Sequence, residues 1–279
     1  MPTYHSPKLS KFDFGLIRSP GPGLGNLMFP LARAIINSKK SGDVLIYPTW
    51  PQLKIGPLIR LESDTRIYTN IFKWRDIPGW INWLKVWFLP KVSEFQLFEK
   101  RKSVDSYVVY YEGLANYFKD ISYGREIIKD WIFSNAKKKG EIKESYDIAC
   151  HIRLGDFGTQ ENLKNKPGHV VRQSWDWYRK ALDEAIKLSR VSSPTIYIFT
   201  DELPSKVIKK LNLPYEIKID PSKNAITAII NMSRAKITVT SRSTFSQWAV
   251  FIGNGLAIWS KNFNLSETFN IRPDKDIFL

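Results

Sequence analysis

An α/β fold with mostly parallel sheets is predicted by three features of this 279-residue sequence. Short apolar runs typical of buried strands alternate with segments of helical periodicity. A glycine-rich loop at residues 19–25 separates a strand pattern from a helix pattern. Polar and charged residues directly follow several strand patterns, at the positions where open α/β sheets bind ligands. We therefore predict alternating strands and helices over most of the chain.

The N-terminal half begins with a strand–loop–helix–strand pattern. We predict a strand over Phe14–Arg18, a helix over 26–39 that Asn26 caps, and a strand over 43–47. Pro30 then falls near the first turn of the helix, where its missing N–H costs least. Farther along, we predict a strand over 104–111 and a helix over 125–133.

The C-terminal half shows the more regular alternation. The predicted strands are 146–152, 195–200, 215–219, 236–240 and 256–259, and the predicted helices are 174–188, 205–211, 223–232 and 245–252. A charged, glycine-containing segment at 136–143 marks the predicted boundary between domains 1–143 and 144–279. We expect roughly the last 15 residues to pack back on the N-terminal domain.

The charge balance limits the class of partner. The chain has 42 Lys+Arg against 27 Asp+Glu, so its formal charge is +15. Such a surface attracts nucleic acid, an anionic membrane or a phosphorylated substrate. The basic residues are dispersed and no nucleic-acid-binding module is recognisable, which disfavours nucleic acid.

The few cysteines and histidines disfavour a disulfide-stabilised fold and a zinc site. The single cysteine, Cys150, rules out an intramolecular disulfide, and three scattered histidines do not form a zinc pattern. Neither a signal peptide nor a membrane span is recognisable, so we expect a cytoplasmic protein.

Residues 151–156, His-Ile-Arg-Leu-Gly-Asp, follow the predicted strand that begins at Tyr146. Arg153 presents the fork of donors that binds phosphate and can neutralise a diphosphate leaving group. His151 can hydrogen-bond a base, a sugar or a phosphate, or it can be a structural histidine. Asp156 can accept a proton, or it can form an Asx turn.

Three other segments suit the same kind of ligand. Residues 199–202 close a strand, and Asp201 there can bind a guanine or a hydroxyl, or cap the next helix. Residues 241–248 form a polar turn into a helix, which suits phosphate or is an ordinary cap. The glycine loop at 21–29 offers backbone N–H groups to an anion, or is only a tight turn. Residues 151–156, 199–202 and 241–248 follow three strands of one parallel sheet, whose ends share an edge, so we predict that these three groups converge.

A tryptophan-rich stretch precedes these motifs. Trp80, Trp83 and Trp87 have the spacing of one helix face. We predict core or interdomain packing, and the alternative is peripheral contact with an anionic membrane at its inner face.

Taken together, four segments resemble the alpha-1,2-fucosyltransferase family. They are residues 23–29 (GLGNLMF), 151–156 (HIRLGD), 198–202 (IFTDE) and 243–249 (STFSQWA). The resemblance implies a GT-B-type fold, in which two Rossmann-like domains with mostly parallel sheets face a central cleft. It also implies an N-terminal acceptor-side domain and a C-terminal nucleotide-sugar domain.

The implied activity is an inverting transfer of fucose from GDP-fucose to a galactose hydroxyl of an oligosaccharide or surface glycan. The resemblance implies no cofactor and no essential metal. Arg153 would bind the diphosphate and stabilise its leaving charge, and Asp156 and Asp13 are candidates for the general base. The implied donor-binding residues are Gly23, Gly25, Asn26, His151, Arg153, Asp201, Ser243, Thr244 and Phe245.

The sequence departs from the family pattern at a few positions. Leu154 stands where the pattern has a second arginine, Leu27 stands where it has glutamine, and Glu202 replaces an aspartate. We expect these changes to affect the linkage that is formed and the choice of acceptor more than the choice of donor. The competing functions are transfer from another nucleotide sugar by the same architecture, nucleic-acid binding, and glycan binding without catalysis. We expect acceptor specificity to reside in the loops at 50–101 and 157–172.

Overall fold

The computed structural model describes residues 3–15, 17–19, 21–53, 68–69, 71–73, 87–96, 106–142, 144–154 and 172–279. Asp156, the loop residues 157–171, Trp80 and Trp83 lie outside the described residues. The chain divides into two compact units, Met1–Lys137 and Lys138–Leu279. Among the described residues, each unit has a sheet in which every named strand pairs in parallel with its neighbours, which confirms the predicted α/β class.

The first unit is built on a four-stranded sheet of order β2-β1-β4-β3. Its elements are β1 (Tyr4–Pro7), α1 (Leu24–Ser41), β2 (Val44–Leu45), β3 (Lys91–Ser93), β4 (Val108–Tyr111) and α2 (Arg125–Asn135), with short 3-10 helices at Glu94–Gln96 and Lys119–Gly124. Successive side chains of a strand point to opposite faces of the sheet. Val109 and Tyr111 therefore meet Ala34 of α1 on one face, and Tyr4, Ile46 and Val108 cluster on the other.

The predicted strand over Phe14–Arg18 is wrong. The first strand is Tyr4–Pro7, which pairs with both β2 and β4. The described residues of the 14–18 segment form a turn, in which the Asp13 carboxylate accepts hydrogen bonds from the N–H groups of Leu9 and Gly15. Arg18 is fully buried, and its Nε donates a hydrogen bond to the carbonyl oxygen of Thr49 at 3.0 Å.

Helix α1 begins earlier than predicted. Its N-cap is Gly23 rather than Asn26, and Pro30 consequently lies inside the helix, beyond the first turn. The helix ends at Ser41, two residues beyond the predicted bound, and Gly42 terminates it by adopting a left-handed conformation with φ of 72° and donating its N–H to the carbonyl of Ser38.

A buried ion pair fixes α1 to the short helix after β3. The guanidinium of Arg33 donates from Nε and Nη2 to the two carboxylate oxygens of Glu94, at 2.8 and 2.9 Å. The two side chains are only 7% and 10% exposed. Nη2 also donates to the carbonyl oxygens of Glu112 and Gly113, so the same guanidinium holds the chain just after β4.

The second unit is built on a six-stranded sheet of order β10-β9-β8-β5-β6-β7. Its strands are β5 (Tyr146–Ile152), β6 (Ile196–Thr200), β7 (Ile217–Ile219), β8 (Ala235–Val239), β9 (Leu256–Trp259) and β10 (Asp276–Phe278), and its helices are α3 (Trp175–Ser189), α4 (Pro204–Leu211), α5 (Ala225–Ser233) and α6 (Thr244–Ile252). All five predicted strands and all four predicted helices of this half are confirmed. Ser174 caps α3 and Asn224 caps α5 through their side chains.

The strand order of the second sheet is that of a Rossmann fold. The chain runs outward from β5 through β6 to β7, then returns to the other side of β5 with β8, β9 and β10. The direction of winding therefore reverses between β5 and β8. In open α/β sheets the crevice at such a reversal, at the carboxyl ends of the strands, is the site where ligands bind.

The last strand of the chain joins the second sheet, where β10 pairs with β9. The expectation that the last residues also pack on the N-terminal domain stays a prediction. The buried carboxylate of Asp276 accepts a hydrogen bond from Trp259 Nε1 at 3.0 Å and from Arg272 Nη2 at 2.7 Å. These bonds hold the final strand at the edge of its own sheet.

We expect Glu94→Ala to destabilise the first unit far more than Glu112→Ala. Removal of Glu94 leaves the buried guanidinium of Arg33 without its carboxylate, which costs about 3–5 kcal/mol for a buried pair. Glu112 pairs with Lys8 at the surface, where the loss is below about 1 kcal/mol. Urea denaturation of both variants measures the difference, and equal midpoints would show that the Arg33–Glu94 pair does not stabilise the fold.

Candidate functional site

The three predicted motifs of the second unit lie at neighbouring strand ends. β5 stands between β6 and β8 in the sheet, so the residues that follow these strands share one edge. The structure brings together His151 and Arg153 after β5, Asp201 after β6, and the turn from Ser241 to Phe245 after β8. The predicted convergence of these groups is confirmed, while their roles in binding a donor stay predictions.

Asp201 connects the ends of β5 and β6. Its Oδ2 lies 3.2 Å from Nε of Arg153, and its Oδ1 accepts the backbone N–H of Leu154 at 2.9 Å. The following helix has Leu203 at its N-cap and no side-chain cap, so the alternative of Asp201 as a helix cap is wrong. The Arg153 side chain is 24% exposed, which leaves part of it accessible to a ligand. Asp201 therefore acts on Arg153 as an orienting partner.

His151 connects the end of β5 to the turn after β8, where the strand order reverses. Its Nδ1 lies 2.8 Å from Oγ of Ser241, and its ring stacks on Phe245 with 5.1 Å between centroids and 26° between planes. Burial, with a smaller contribution from the Arg153 charge, lowers the pKa of His151 to about 3. The imidazole is therefore neutral at physiological pH, and it takes part in the site as a hydrogen-bonding group without charge.

The turn after β8 is held by its own hydroxyl groups. Ser243 caps α6 by accepting the N–H of Phe245 at 3.2 Å, and Oγ of Ser241 accepts the N–H of Ser243 at 3.2 Å. Ser246 donates to the carbonyl oxygen of Ser241. The capping interpretation of Ser243 is thus correct, and Thr244 and Phe245 occupy the first turn of α6. These bonds fix the helix N-terminus next to His151.

Arg242 is a candidate that our sequence analysis did not single out. It lies in the same turn, and its Nε is buried with no hydrogen-bond partner among the described residues. Burial lowers the pKa of Arg242, and the nearby Tyr178 opposes that shift. The charges of Asp201 and Arg242 act in opposite directions on the pKa of Tyr178, which Asp201 raises and Arg242 lowers. The signal in the sequence was an arginine directly before the capping serine.

Leu154 and Cys150 belong to the core rather than to the site. Leu154 is 5% exposed and belongs to the same core cluster as Tyr178, Leu182 and the completely buried Cys150. Burial raises the pKa of the Cys150 thiol, so it stays protonated. The leucine in place of the family's second arginine therefore fits an apolar environment, in which a guanidinium would lose its hydration.

The predicted glycine-loop residues belong to the first unit. Gly23 has an extended backbone as the N-cap of α1, and a Cβ added there would meet nothing within 4 Å. Gly25 is buried and Asn26 is half-buried in the first turn. The Leu24 N–H donates to the Tyr68 hydroxyl at 3.2 Å. The loop thus leaves open space at Gly23, and its role toward a donor stays a prediction.

The described residues contain neither a candidate metal site nor a helix that could span a membrane. No three His, Cys, Asp or Glu side chains there come together as a possible metal site, and the expectation of a metal-independent reaction stays a prediction. Within the same ranges, every helix is too short or too polar to span a membrane.

Comparison with solved structures finds similar chains at low sequence identity. One is a crystal structure of POFUT1 in complex with GDP, at 9% identity and a TM-score of 0.49, covering 90% of this chain and 96% of that chain. Another is a crystal structure of POFUT1 in complex with GDP-fucose, at 10% identity and a TM-score of 0.48, covering 99% of this chain and 97% of that chain. Comparison with curated proteins finds no match.

A protein-family comparison gives the firmer result. The model of glycosyl transferase family 11 matches residues 81–279, which include the ends of β5, β6 and β8 described above. The match extends over more than two thirds of the sequence. The chain belongs to glycosyl transferase family 11.

Proposed function

We propose that this glycosyltransferase moves fucose from GDP-fucose to a galactose hydroxyl of a glycan, forming an alpha-1,2 linkage. The observation that carries the proposal is the position of Arg153, at the carboxyl end of β5 and beside the strand reversal, where Asp201 orients its guanidinium. The four segments that resemble the alpha-1,2-fucosyltransferase family support the choice of donor and linkage. Three of them end neighbouring strands of one sheet.

Arg153 acts on the leaving group. When the acceptor oxygen forms its bond to the anomeric carbon, the bond from that carbon to the β-phosphate oxygen breaks and GDP leaves with the electron pair. A guanidinium that is already oriented stabilises the new charge without reorganisation, and one such donor contributes on the order of 10²–10³ in rate. The Asp201 carboxylate faces Nε, so the pair holds the plane of the guanidinium.

Arg242 and the N-terminus of α6 supply further electrostatic stabilisation. A guanidinium with a buried, unsatisfied Nε gains a hydrogen bond when a phosphate oxygen enters its reach. The first N–H groups of a helix also favour an anion. We assign Arg242 to the diphosphate together with Arg153, and Ser243, Thr244 and Phe245 to the wall around it.

His151 contributes hydrogen bonding and shape. A neutral ring adds no charge that would compete with the two arginines for the diphosphate. Its bond to Ser241 and its stack on Phe245 fix the ring plane, so the ring offers one orientation to a nucleotide. Direct displacement inverts the anomeric carbon, and the proton of the acceptor hydroxyl passes to a base, for which Asp156 is our candidate.

We expect GDP to raise the melting temperature more than UDP, ADP or CMP. A ligand that binds only the native state stabilises it by about 2.7 kcal/mol at 100 times its Kd. Thermal-shift measurements with the four nucleotides at one concentration test the donor. An equal or larger shift with UDP would favour transfer from another nucleotide sugar, and the absence of any shift would contradict donor binding.

We expect Arg153→Ala to lower kcat/KM for fucose transfer by about 10²-fold or more, because the leaving charge loses an oriented donor. Arg179→Ala is the matched control. Arg179 lies on α3 in the same unit and pairs with Asp176 in an exposed ion pair. Transfer kinetics of both variants, with circular dichroism to confirm folding, provide the measurement. Near-normal turnover by the folded Arg153 variant would refute the assignment.

We expect His151→Asn to flatten the dependence of stability on pH. The unfolded state binds a proton at the ordinary histidine pKa of 6.5, whereas the folded state does so only at about 3. Between these values the unfolded state holds more protons, so stability falls as the pH falls through this window. At pH 5 the loss is about 2 kcal/mol.

Melting temperatures at pH 7.5 and pH 5.0 measure this effect. The wild-type protein should lose more stability over the interval than His151→Asn, while His5 contributes equally to both. Equal losses would show that His151 is not held neutral by the fold.

A further inference from the structure

The first unit contains a short hairpin whose two arms are residues 12–14 and 17–19. Asp13 and Arg18 pair across the hairpin in antiparallel register, and two backbone hydrogen bonds of 2.9 and 3.0 Å flank this pair. The segment 51–53 runs parallel to the second arm and pairs with Arg18. Successive side chains of such arms point to opposite faces, and directly paired residues share a face. The hairpin and the segment beside it therefore have one inner and one outer face.

Polar side chains occupy the inner face. Arg18 is fully buried, and the side-chain oxygen of its neighbour Gln52 is buried as well. The carboxylate of Asp13 accepts hydrogen bonds from the N–H groups of Leu9 and Gly15. The side of the hairpin that packs on the protein is thus the side that carries its charged groups.

Large apolar side chains occupy the outer face. Phe12 and Phe14 are 57% and 55% exposed, Ile17 is 41% exposed, and Leu53 on the neighbouring segment is 62% exposed. An ordinary surface hairpin has the opposite arrangement, with apolar residues toward the core and polar residues toward water. These four side chains, which we call the outer apolar face, therefore indicate a partner that covers them.

The charge around the outer apolar face is positive. Lys11 directly precedes Phe12, and its Nζ lies 5.7 Å from the centroid of the Phe12 ring. Asp13 is the only acidic residue in the sequence of 8–19 and 51–53, and its carboxylate belongs to the inner face. The chain as a whole has a formal charge of +15. This combination is complementary to a surface that is apolar in depth and negatively charged at its boundary.

The area of the outer apolar face is small for a protein partner. Four side chains of this size and exposure present roughly 400 Å² of surface, whereas each partner of a stable protein–protein complex contributes about 800 Å². A contact with a lipid surface can be smaller, because the attraction of basic residues to anionic headgroups adds to the burial of apolar side chains. The size of the face and its charge therefore both favour a lipid surface over a second copy of the chain.

We infer that the outer apolar face binds the surface of an anionic lipid bilayer. Phe12, Phe14 and Leu53 enter the boundary between headgroups and acyl chains, and Lys11 remains at the level of the headgroup phosphates. The contact is peripheral, since only side chains of the outer apolar face enter the lipid. The inference does not rest on the proposed function, because it involves neither the donor nor the acceptor.

A chain that carries both Phe12→Ser and Phe14→Ser tests the inference, with Phe95→Ser and Leu203→Ser in one chain as the matched control. Phe95 and Leu203 are 74% and 66% exposed and lie outside the outer apolar face. Flotation of the full chain with vesicles of phosphatidylcholine and phosphatidylglycerol measures the partition coefficient. We expect the Phe12, Phe14 variant to bind about ten-fold more weakly or less, because two inserted rings are lost, and the control to stay within about two-fold of the wild type.

Circular dichroism melting of each variant verifies that the chain is folded, and the wild type should bind vesicles of phosphatidylcholine alone more weakly, since these lack anionic headgroups. The inference is overturned if the wild type does not bind the mixed vesicles, or if it binds both kinds of vesicle equally. It is also overturned if the folded Phe12, Phe14 variant binds as the wild type does. A wild-type dimer in size-exclusion chromatography that this variant dissociates would overturn it as well, because a second copy would then cover the face.

Discussion

The reversal of strand order between β5 and β8 determines where the second unit can hold a ligand. Helices that connect strands on the two sides of a reversal leave the sheet in opposite directions, so the strand ends between them are not covered. His151 and Arg153 end β5 at this point, and the Ser241–Phe245 turn ends β8. Every residue that we assign to the donor in this unit depends on that topology, because none of the motifs is adjacent to another in sequence.

Two side-chain contacts convert the open edge into a fixed arrangement. The bond from His151 to Ser241 joins β5 to the turn after β8, and the ion pair from Arg153 to Asp201 joins β5 to the end of β6. Each contact restricts a side chain before any ligand arrives, which lowers the entropy lost on binding. The same burial that keeps His151 neutral leaves the positive charge of the site to the arginines. The packing of this edge thus both fixes the side chains of the site and keeps His151 uncharged.

The sequence predicted the second unit far better than the first for a physical reason. Strand β5 is a mostly apolar segment of seven residues, and its predicted bounds match the structure, because burial on both faces leaves a local signal. Strands β1, β3 and β10 have three or four residues each, and their existence depends on pairing with distant partners. Likewise, the strand-end position of Asp201 was predictable, but its contact with Arg153 requires that β6 lie beside β5. Arg242 was missed because its position before the capping serine does not reveal that its Nε is buried without a hydrogen-bond partner among the described residues.

The local arrangement of charge describes the candidate donor site better than the total charge does. The excess of basic residues is spread over the whole chain. At the strand reversal, however, Arg153 and Arg242 accompany one carboxylate and a neutral histidine, an environment suited to the charge of a departing diphosphate. In the first unit, by contrast, Lys8 is paired with Glu112 at the surface, so its charge is largely compensated. The local arrangement of charged groups, and not the net charge of the chain, is therefore what supports the assignment of a diphosphate to the strand reversal.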